Sequence, residues 1–297
     1  MKRRKFIQSS AMSVVAVSSF GFIQFDGKKF IGDCETTTDI LGPYYRPNSP
    51  VRSNLNIPEK GGIPIHLTGL VLNQDCATPY KNAKVELWHC DAEGVYDNST
   101  PAYNYRGTGF TNENGEYAFE TILPVPYDAG GGMIRAAHYH LMITADGYQT
   151  LVTQLYFSGD ENIKNDTWAS NDAAKNRILE VTQGRNGGKT VTFNVGLAKK
   201  LSMEKASLDK LIGAYEPEYG EGTQIELFQK EGKLWKKNEV FGDAYDYLGD
   251  NIFEYPGLHD GSCLRIQFVP ESANVKMILH NFQPGSEIQT KTFVKMS

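Results

Sequence analysis

Ile63-Pro64-Ile65-His66-Leu67-Thr68-Gly69-Leu70-Val71 is followed, after a turn-rich stretch, by Ala83-Lys84-Val85-Glu86-Leu87-Trp88. Both runs are short, apolar at intervals and bounded by Gly, Pro, Asn or Asp, so each reads as a strand. The spacing continues through Gly115–Thr121, His138–Thr144, Gln149–Phe157 and Thr190–Val195, with a helical or irregular insertion around Asn171–Val181. Short strands at regular intervals with turns between them imply two stacked sheets, so residues 63–198 are expected to be an all-β sandwich of transthyretin or immunoglobulin type.

Working outward, residues 25–62 are rich in Thr, Pro, Asn and Gly and read as an extended arm. Residues 1–24 begin Met1-Lys2-Arg3-Arg4-Lys5-Phe6-Ile7-Gln8 and then run uncharged from Ser9, a basic segment and a short apolar segment of the kind that directs export. Arg3-Arg4 with Phe6 and Ile7 close behind resembles a twin-arginine signal, which implies a periplasmic or extracellular destination in a bacterium; an ordinary secretory signal is the alternative.

Downstream, Ala198 to Lys205 reads as a linker and residues 206–297 as a small separate β domain, in the manner of a half-barrel. Leu208–Tyr215 is expected to be a short helix. Ile225-Glu226-Leu227-Phe228 and Lys233-Leu234-Trp235-Lys236 flank a Glu231-Gly232 turn and read as a hairpin. Asn251–Tyr255, Cys263–Val269 and Val275–Leu279 add strands. No chemistry is legible in this unit, where His259 and His280 stand isolated.

The formal charge of −5 and pI near 5.7 supply no basic field for nucleic acid or anionic lipid. Cys34, Cys76, Cys90 and Cys263 permit two disulfides in an exported chain, with pairing among the first three compatible with the spacing and free buried thiols the alternative. No Cys-x-x-Cys spacing marks a thiolate metal site.

In His138-Tyr139-His140 the imidazoles are two residues apart, so on a strand both point to one face while Tyr139 points to the other. With Tyr96 and Tyr127 upstream, the chain holds four candidate ligands and few carboxylates among them. A tyrosine ligand must be a phenolate, whose ordinary pKa of about 10 requires a strongly charged cation to displace the proton. Ferric iron meets that demand, whereas zinc or magnesium would favour carboxylate or thiolate.

Val85 to Tyr96, Tyr105-Arg106-Gly107, Thr111 to Phe119, Thr121 to Tyr127, Arg135 to His140 and Leu151 to Phe157 together resemble the intradiol ring-cleavage dioxygenases. Thr38-Asp39-Ile40-Leu41-Gly42-Pro43-Tyr44-Tyr45-Arg46-Pro47 resembles the family's opening segment, and the likeness spans roughly residues 36–198. It places the metal ligands at Tyr96, Tyr127, His138 and His140, an active-site arginine at Arg135 and a pocket-lining glutamine at Gln154. It implies one Fe(3+) per chain, with a small aromatic diol and O2 as partners. Where protocatechuate-type relatives carry bulky and basic residues after the second tyrosine, this chain has Asp128, Ala129 and Gly130-Gly131-Gly132. No N-terminal helical segment of the catechol 1,2-dioxygenase kind is legible, which points to a protocatechuate 3,4-dioxygenase-like, exported branch. A homo-oligomer is compatible with the sequence.

The resemblance implies opening of a catechol ring between its two hydroxylated carbons to a muconate-type diacid, with Tyr127 the ligand that leaves the iron and Arg135 stabilising developing negative charge. Two other readings fit parts of the sequence. One is a ferrous site of two histidines and a carboxylate such as Asp146 or Glu120; the other is a non-catalytic transthyretin-like binding module. Every candidate ligand lies upstream of Leu201, so the C-terminal domain is expected to be dispensable for ring cleavage.

Overall fold

A computed structural model describes residues 35–184, 188–238, 242–258, 262–271, 274–283 and 286–296, together with the backbone of three earlier strands. These strands, β1 (Ala16–Ser18), β2 (Gly21–Phe25) and β3 (Phe30–Gly32), pair antiparallel. Most of the expected export signal, Cys34 and His259 lie outside the described residues.

The sandwich is built from β4 (Ile63–Leu72), β5 (Lys84–Trp88), β6 (Arg106–Phe110), β7 (Glu116–Leu123), β8 (Tyr127–Asp128), β9 (Ile134–Arg135), β10 (His138–Thr144), β11 (Leu151–Phe157), β12 (Ile178–Leu179), β13 (Thr182–Gln183), β14 (Lys189–Thr192) and β15 (Val195–Gly196). One sheet runs β12-β11-β10-β5-β6; the other runs β13-β14-β4-β15, with β7 antiparallel on β4. Between them Leu67, Val85, Leu87, Phe119, Leu141 and Leu155 are buried, each side chain contributing roughly 1.5–3 kcal/mol by leaving water. Because side chains alternate along a strand, the inward set Tyr139, Leu141 and Ile143 leaves His138, His140 and Met142 on the outer face of the first sheet.

The arm packs Leu41, Tyr44 and Tyr45 on that face beside Trp88 and Tyr96, and pairs along the strand edges. Asp39 N donates to Val152 O at 2.9 Å, and isolated bridges join Val51 to Thr108 and Asn54 to Glu120. The insertion is a 3-10 helix, Asp172–Arg177, whose N-terminus is capped by the Asn171 side chain accepting from Ala173 N.

The expected half-barrel is a closed one. After α1 (Lys205–Leu211), the strands β16 (Gly213–Pro217), β17 (Ile225–Lys230), β18 (Lys233–Lys236), β19 (Asp243–Gly249), β20 (Ile252–Glu254), β21 (Cys263–Pro270), β22 (Val275–Phe282) and β23 (Gln289–Lys295) form an eight-stranded antiparallel barrel. Pairing of β16 with β23 closes it. The mostly polar Gln289–Lys295 gave no strand pattern in the sequence, yet Phe293 plugs the core beside Tyr215, Tyr245, Phe253 and Phe268. The expected helix ends at Leu211; Tyr215 belongs to β16 and its hydroxyl donates to Leu211 O at 2.7 Å. The β17–β18 turn places Glu231 and Gly232 at φ 53° and 71°, the left-handed pair of a tight hairpin.

The barrel is docked on the sandwich. Thr150 N donates to Asp246 Oδ2 at 2.8 Å, Asp246 pairs with Lys233 at 3.1 Å, and Leu41 N donates to Gly257 O at 3.1 Å. Cys76 is disulfide-bonded, whereas Cys90 and Cys263 are free thiols, so of the pairings left open among Cys34, Cys76 and Cys90 those that include Cys90 fall away.

Candidate metal centre

β10 delivers both imidazoles to one place, as strand alternation requires. His138 Nε2 lies 3.3 Å and His140 Nε2 3.2 Å from Tyr96 Oη. The Tyr127 ring sits 5.5 Å from that of Tyr96 and 5.7 Å from that of His138, centre to centre. The four candidate ligands therefore converge, while Tyr139 points into the core and donates to Ile122 O at 2.8 Å.

Local structure explains each placement. Tyr96 follows a turn made by Asp91, whose Oδ1 accepts from Glu93 N and Val95 N at 3.0 and 2.9 Å. Gly94 in that turn has φ +82°, and a Cβ there would lie 2.9 Å from Tyr127 Cβ, so a larger residue would push the two tyrosine loops apart. Tyr127 and Arg135 face each other across the β8–β9 hairpin, with the glycine run in its loop.

His138 Nδ1 sits 2.6 Å from Ala136 O, a carbonyl that can only accept, so the ring proton is on Nδ1 and the bare Nε2 faces Tyr96. Trp88 stacks on His140 at 4.9 Å and Tyr44 on Tyr96 at 4.4 Å, walling the cluster from water. Burial, and then the neighbouring Tyr127, raise the Tyr96 phenol well above its ordinary pKa, and burial raises Tyr127 against the opposing charge of Arg135. Burial, and then Arg135, lower His138 to about 3; burial and His138 lower His140 well below the usual imidazole range. Without a cation the cluster thus holds neutral phenols and neutral imidazoles. The donor set suits a hard trivalent ion, which alone among common metals readily displaces such phenolic protons. Tyr96, Tyr127, His138 and His140 are the residues that would hold it.

The carboxylate alternative finds no support in the geometry. Among the described residues no group of three or more His, Cys, Asp or Glu converges. Glu120 pairs with His66 at the surface and Asp146 is exposed.

Arg135 is 4% exposed and clamped: Nε donates to Asp166 Oδ2 at 2.9 Å, Nη2 to Gln154 Oε1 at 2.7 Å, and Cζ lies 4.4 Å from the Trp168 ring centre. Burial opposes its charge, but Tyr156 and Asp166 outweigh burial and hold the guanidinium protonated. Gln154, expected to line a pocket, has its amide engaged. Its Oε1 also accepts from Tyr156 Oη at 3.0 Å, and its Nε2 donates to Ile40 O at 2.8 Å. It orients Arg135. Asp39 completes this buried network, accepting from Arg177 Nη1 at 2.5 Å and sharing the single Tyr156 hydroxyl proton with Gln154 Oε1 at 3.0 Å.

Asp166, Trp168, Tyr156, Trp88 and Tyr44 were not assigned roles from sequence. Trp88 is placed only through strand register, which sets it directly opposite His140. Asp166 lies in irregular chain with no pattern to reveal it.

A family model described as Dioxygenase matches residues 40–199. The chain is 35% identical over 141 residues to a catechol 1,2-dioxygenase of Candida albicans, covering 41% of this chain and 46% of that protein. It is 32% identical over 155 residues to a chlorocatechol 1,2-dioxygenase of Rhodococcus opacus, covering 44% and 60%. The crystal structure of 3-chlorocatechol 1,2-dioxygenase from Rhodococcus opacus 1CP superposes with a TM-score of 0.50 at 26% identity, covering 56% of this chain and 74% of that one. The chain thus spans roughly half of these curated relatives, and the barrel lies beyond the matched residues.

Proposed function

This chain belongs to the intradiol ring-cleavage dioxygenase family, and from that premise we propose that it opens a catechol-type ring between the two hydroxylated carbons, using one ferric ion held by Tyr96, Tyr127, His138 and His140. The observation that carries the reading is the convergence of two imidazole nitrogens within 3.3 Å of the Tyr96 phenol oxygen, with Tyr127 packed alongside. Bound ferric iron would supply Lewis acidity that lowers the pKa of ligated hydroxyls and activates the diol toward O2.

The protein residues supply the rest. Tyr127, the less buried of the two phenols, is placed to accept a proton from a substrate hydroxyl at its Oη, while the buried Tyr96 stays in place. Arg135 faces the same side, opposite Tyr127 on the hairpin, and its clamped cation stabilises negative charge that develops on the ring in a site of low dielectric. Trp88 and Tyr44 exclude water from the ligands.

Asp128 and the glycines that follow it bring no positive charge to the site, and Arg135 is already committed to Asp166. This supports an uncharged catechol over a carboxylated one, in keeping with the names of the relatives and against the protocatechuate-like branch. The reading includes export by the twin-arginine route, which Arg3-Arg4 followed by Phe6 supports. The test is oxygen uptake by iron-loaded protein on catechol, chlorocatechol, hydroxyquinol and protocatechuate. Stoichiometric uptake with a muconate-type product from an uncharged diol is expected, and no uptake on any of the four would refute the proposal.

A further inference from the structure

A cavity of about 210 Å³ lies between the sandwich and the barrel, outside the metal centre. Its floor continues the sheet face that carries the metal ligands. His140 pairs in register with Trp88, and the next outward pair along the strands, Met142 with Glu86, lines the cavity about 7 Å further on. Tyr45 stands at the boundary, its ring 5.1 Å from that of Trp88 and its hydroxyl 3.5 Å from Glu86 Oε1.

The chemistry of the walls restricts what fits. Leu41, Met142 and Val152 on the sandwich side face Trp235 and Tyr255 on the barrel side, so both broad surfaces are apolar or aromatic. Most of the charge is paired, Lys84 with Glu86, Lys233 with Asp246 and Asp243 with Lys236, and Glu231 adds a further carboxylate to the lining, so the cleft disfavours an anion.

One group is under-used. Glu86 is 2% exposed, and its Oε2 lies 2.8 Å from Lys84 Nζ but receives no well-directed hydrogen bond. Its Oε1 has the Tyr45 hydroxyl only at the limit of hydrogen-bond distance. A carboxylate accepts up to about four hydrogen bonds, and a buried one with spare capacity at the wall of a cavity favours a donor arriving there.

We propose that this cleft binds an uncharged phenolic ring, flat between the apolar walls, with its hydroxyl donating to Glu86. The volume is below the roughly 300–1,000 Å³ of pockets that take drug-sized ligands, which suits a single ring. A sugar would need polar partners on both of its faces, where the two broad walls of the cleft are apolar or aromatic. The site makes the barrel half of a second aromatic-binding position next to the metal centre, and it does not depend on the iron reading.

The test is calorimetric titration of the full-length, iron-loaded protein with phenol, with benzoate and glucose as comparison probes and the visible spectrum recorded in parallel. A binding event that leaves any visible band unmoved is expected for phenol and not for the other two. Glu86→Gln and Trp235→Ala should each weaken that event about tenfold or more, the scale of losing a hydrogen bond to a charged group or an aromatic wall. Trp235→Ala touches only the barrel side, so it remains informative if Glu86→Gln folds poorly. A single phenol site that shifts the visible band, a second site indifferent to both substitutions, or preferential binding of benzoate or glucose would overturn the proposal. A protein without iron colour would refute the metal reading while leaving the cleft titration interpretable.

Discussion

Arg135 and Asp166, thirty-one residues apart in sequence, form a buried ion pair at 2.9 Å beside the four candidate ligands. Asp166 is otherwise occupied with backbone amides: Ala136 N on the same oxygen as Arg135, and Trp168 N and Ala169 N on the other. The carboxylate therefore fixes the guanidinium and the chain on both sides of it. Arg135→Leu should keep the iron and its colour yet lower kcat by about 10²–10³, the usual loss for one preorganised stabiliser of developing charge. Arg135→Lys should recover only part, because a point charge on a flexible stem cannot engage Asp166 and Gln154 as the planar fork does. Steady-state kinetics with metal analysis would check this; wild-type turnover in Arg135→Leu would remove the arginine from the reaction.

Strand alternation separates the ligands from their neighbour. His138→Ala and His140→Ala should each lose iron on dialysis, whereas Tyr139→Phe should retain it and lose about 1 kcal/mol of stability through the missing bond to Ile122 O. Metal content and denaturant midpoints measure both effects. Equal iron loss from all three variants would contradict the placement of β10.

The His-x-His pair and its strand were legible because a two-residue period fixes which side chains share a face, and that needs no knowledge of the rest of the fold. Tyr96 and Tyr127 were legible through their matching motifs. What was hidden came from distant chain: Asp166 reaches Arg135 from the irregular stretch that precedes the insertion, and Asp39 and Arg177 meet only after the arm folds against the sheet. Gln154 was found but its role was not, since only the geometry shows its amide turned to Arg135, Tyr156 and Ile40. Barrel closure was missed because β23 buries one phenylalanine among polar residues.

The barrel is also less independent than its sequence suggested. Asp246 caps the start of β11 through Thr150 N and pairs with Lys233, which bonds Thr150 Oγ1 as well. That strand carries Gln154, which accepts from Arg135, and Tyr156, whose hydroxyl bonds Gln154. Asp246→Ala should destabilise the chain by about 1–3 kcal/mol through the unpartnered buried amide. Removal of the whole barrel should lower kcat, contrary to the expectation that it is dispensable. Limited proteolysis with kinetics on the full and shortened chains would decide, and unchanged kcat in a folded sandwich would show that docking does not reach the site.

His89 sets an acid limit on stability. Its ring is buried, with Nδ1 2.7 Å from Cys90 O and Nε2 2.7 Å from Thr121 Oγ1, and burial depresses its pKa from 6.5 to about 4. A folded-state value below the unfolded one means that the contribution is complete above pH 6.5 and is lost as pH falls toward 4, because only the unfolded chain takes up the proton. The loss from this group is about 3 kcal/mol across that window. Urea midpoints at several pH values for wild type and His89→Gln should diverge below pH 6.5; parallel curves would contradict the assignment.

The most direct test of the account is the visible absorption spectrum of the purified, iron-loaded protein. Two phenolate ligands on ferric iron would give charge-transfer absorption in the visible, so the protein should be reddish, and the band should shift when a catechol is added without oxygen and Tyr127 Oη takes up its proton. A colourless protein carrying one iron per chain would contradict ligation by Tyr96 and Tyr127.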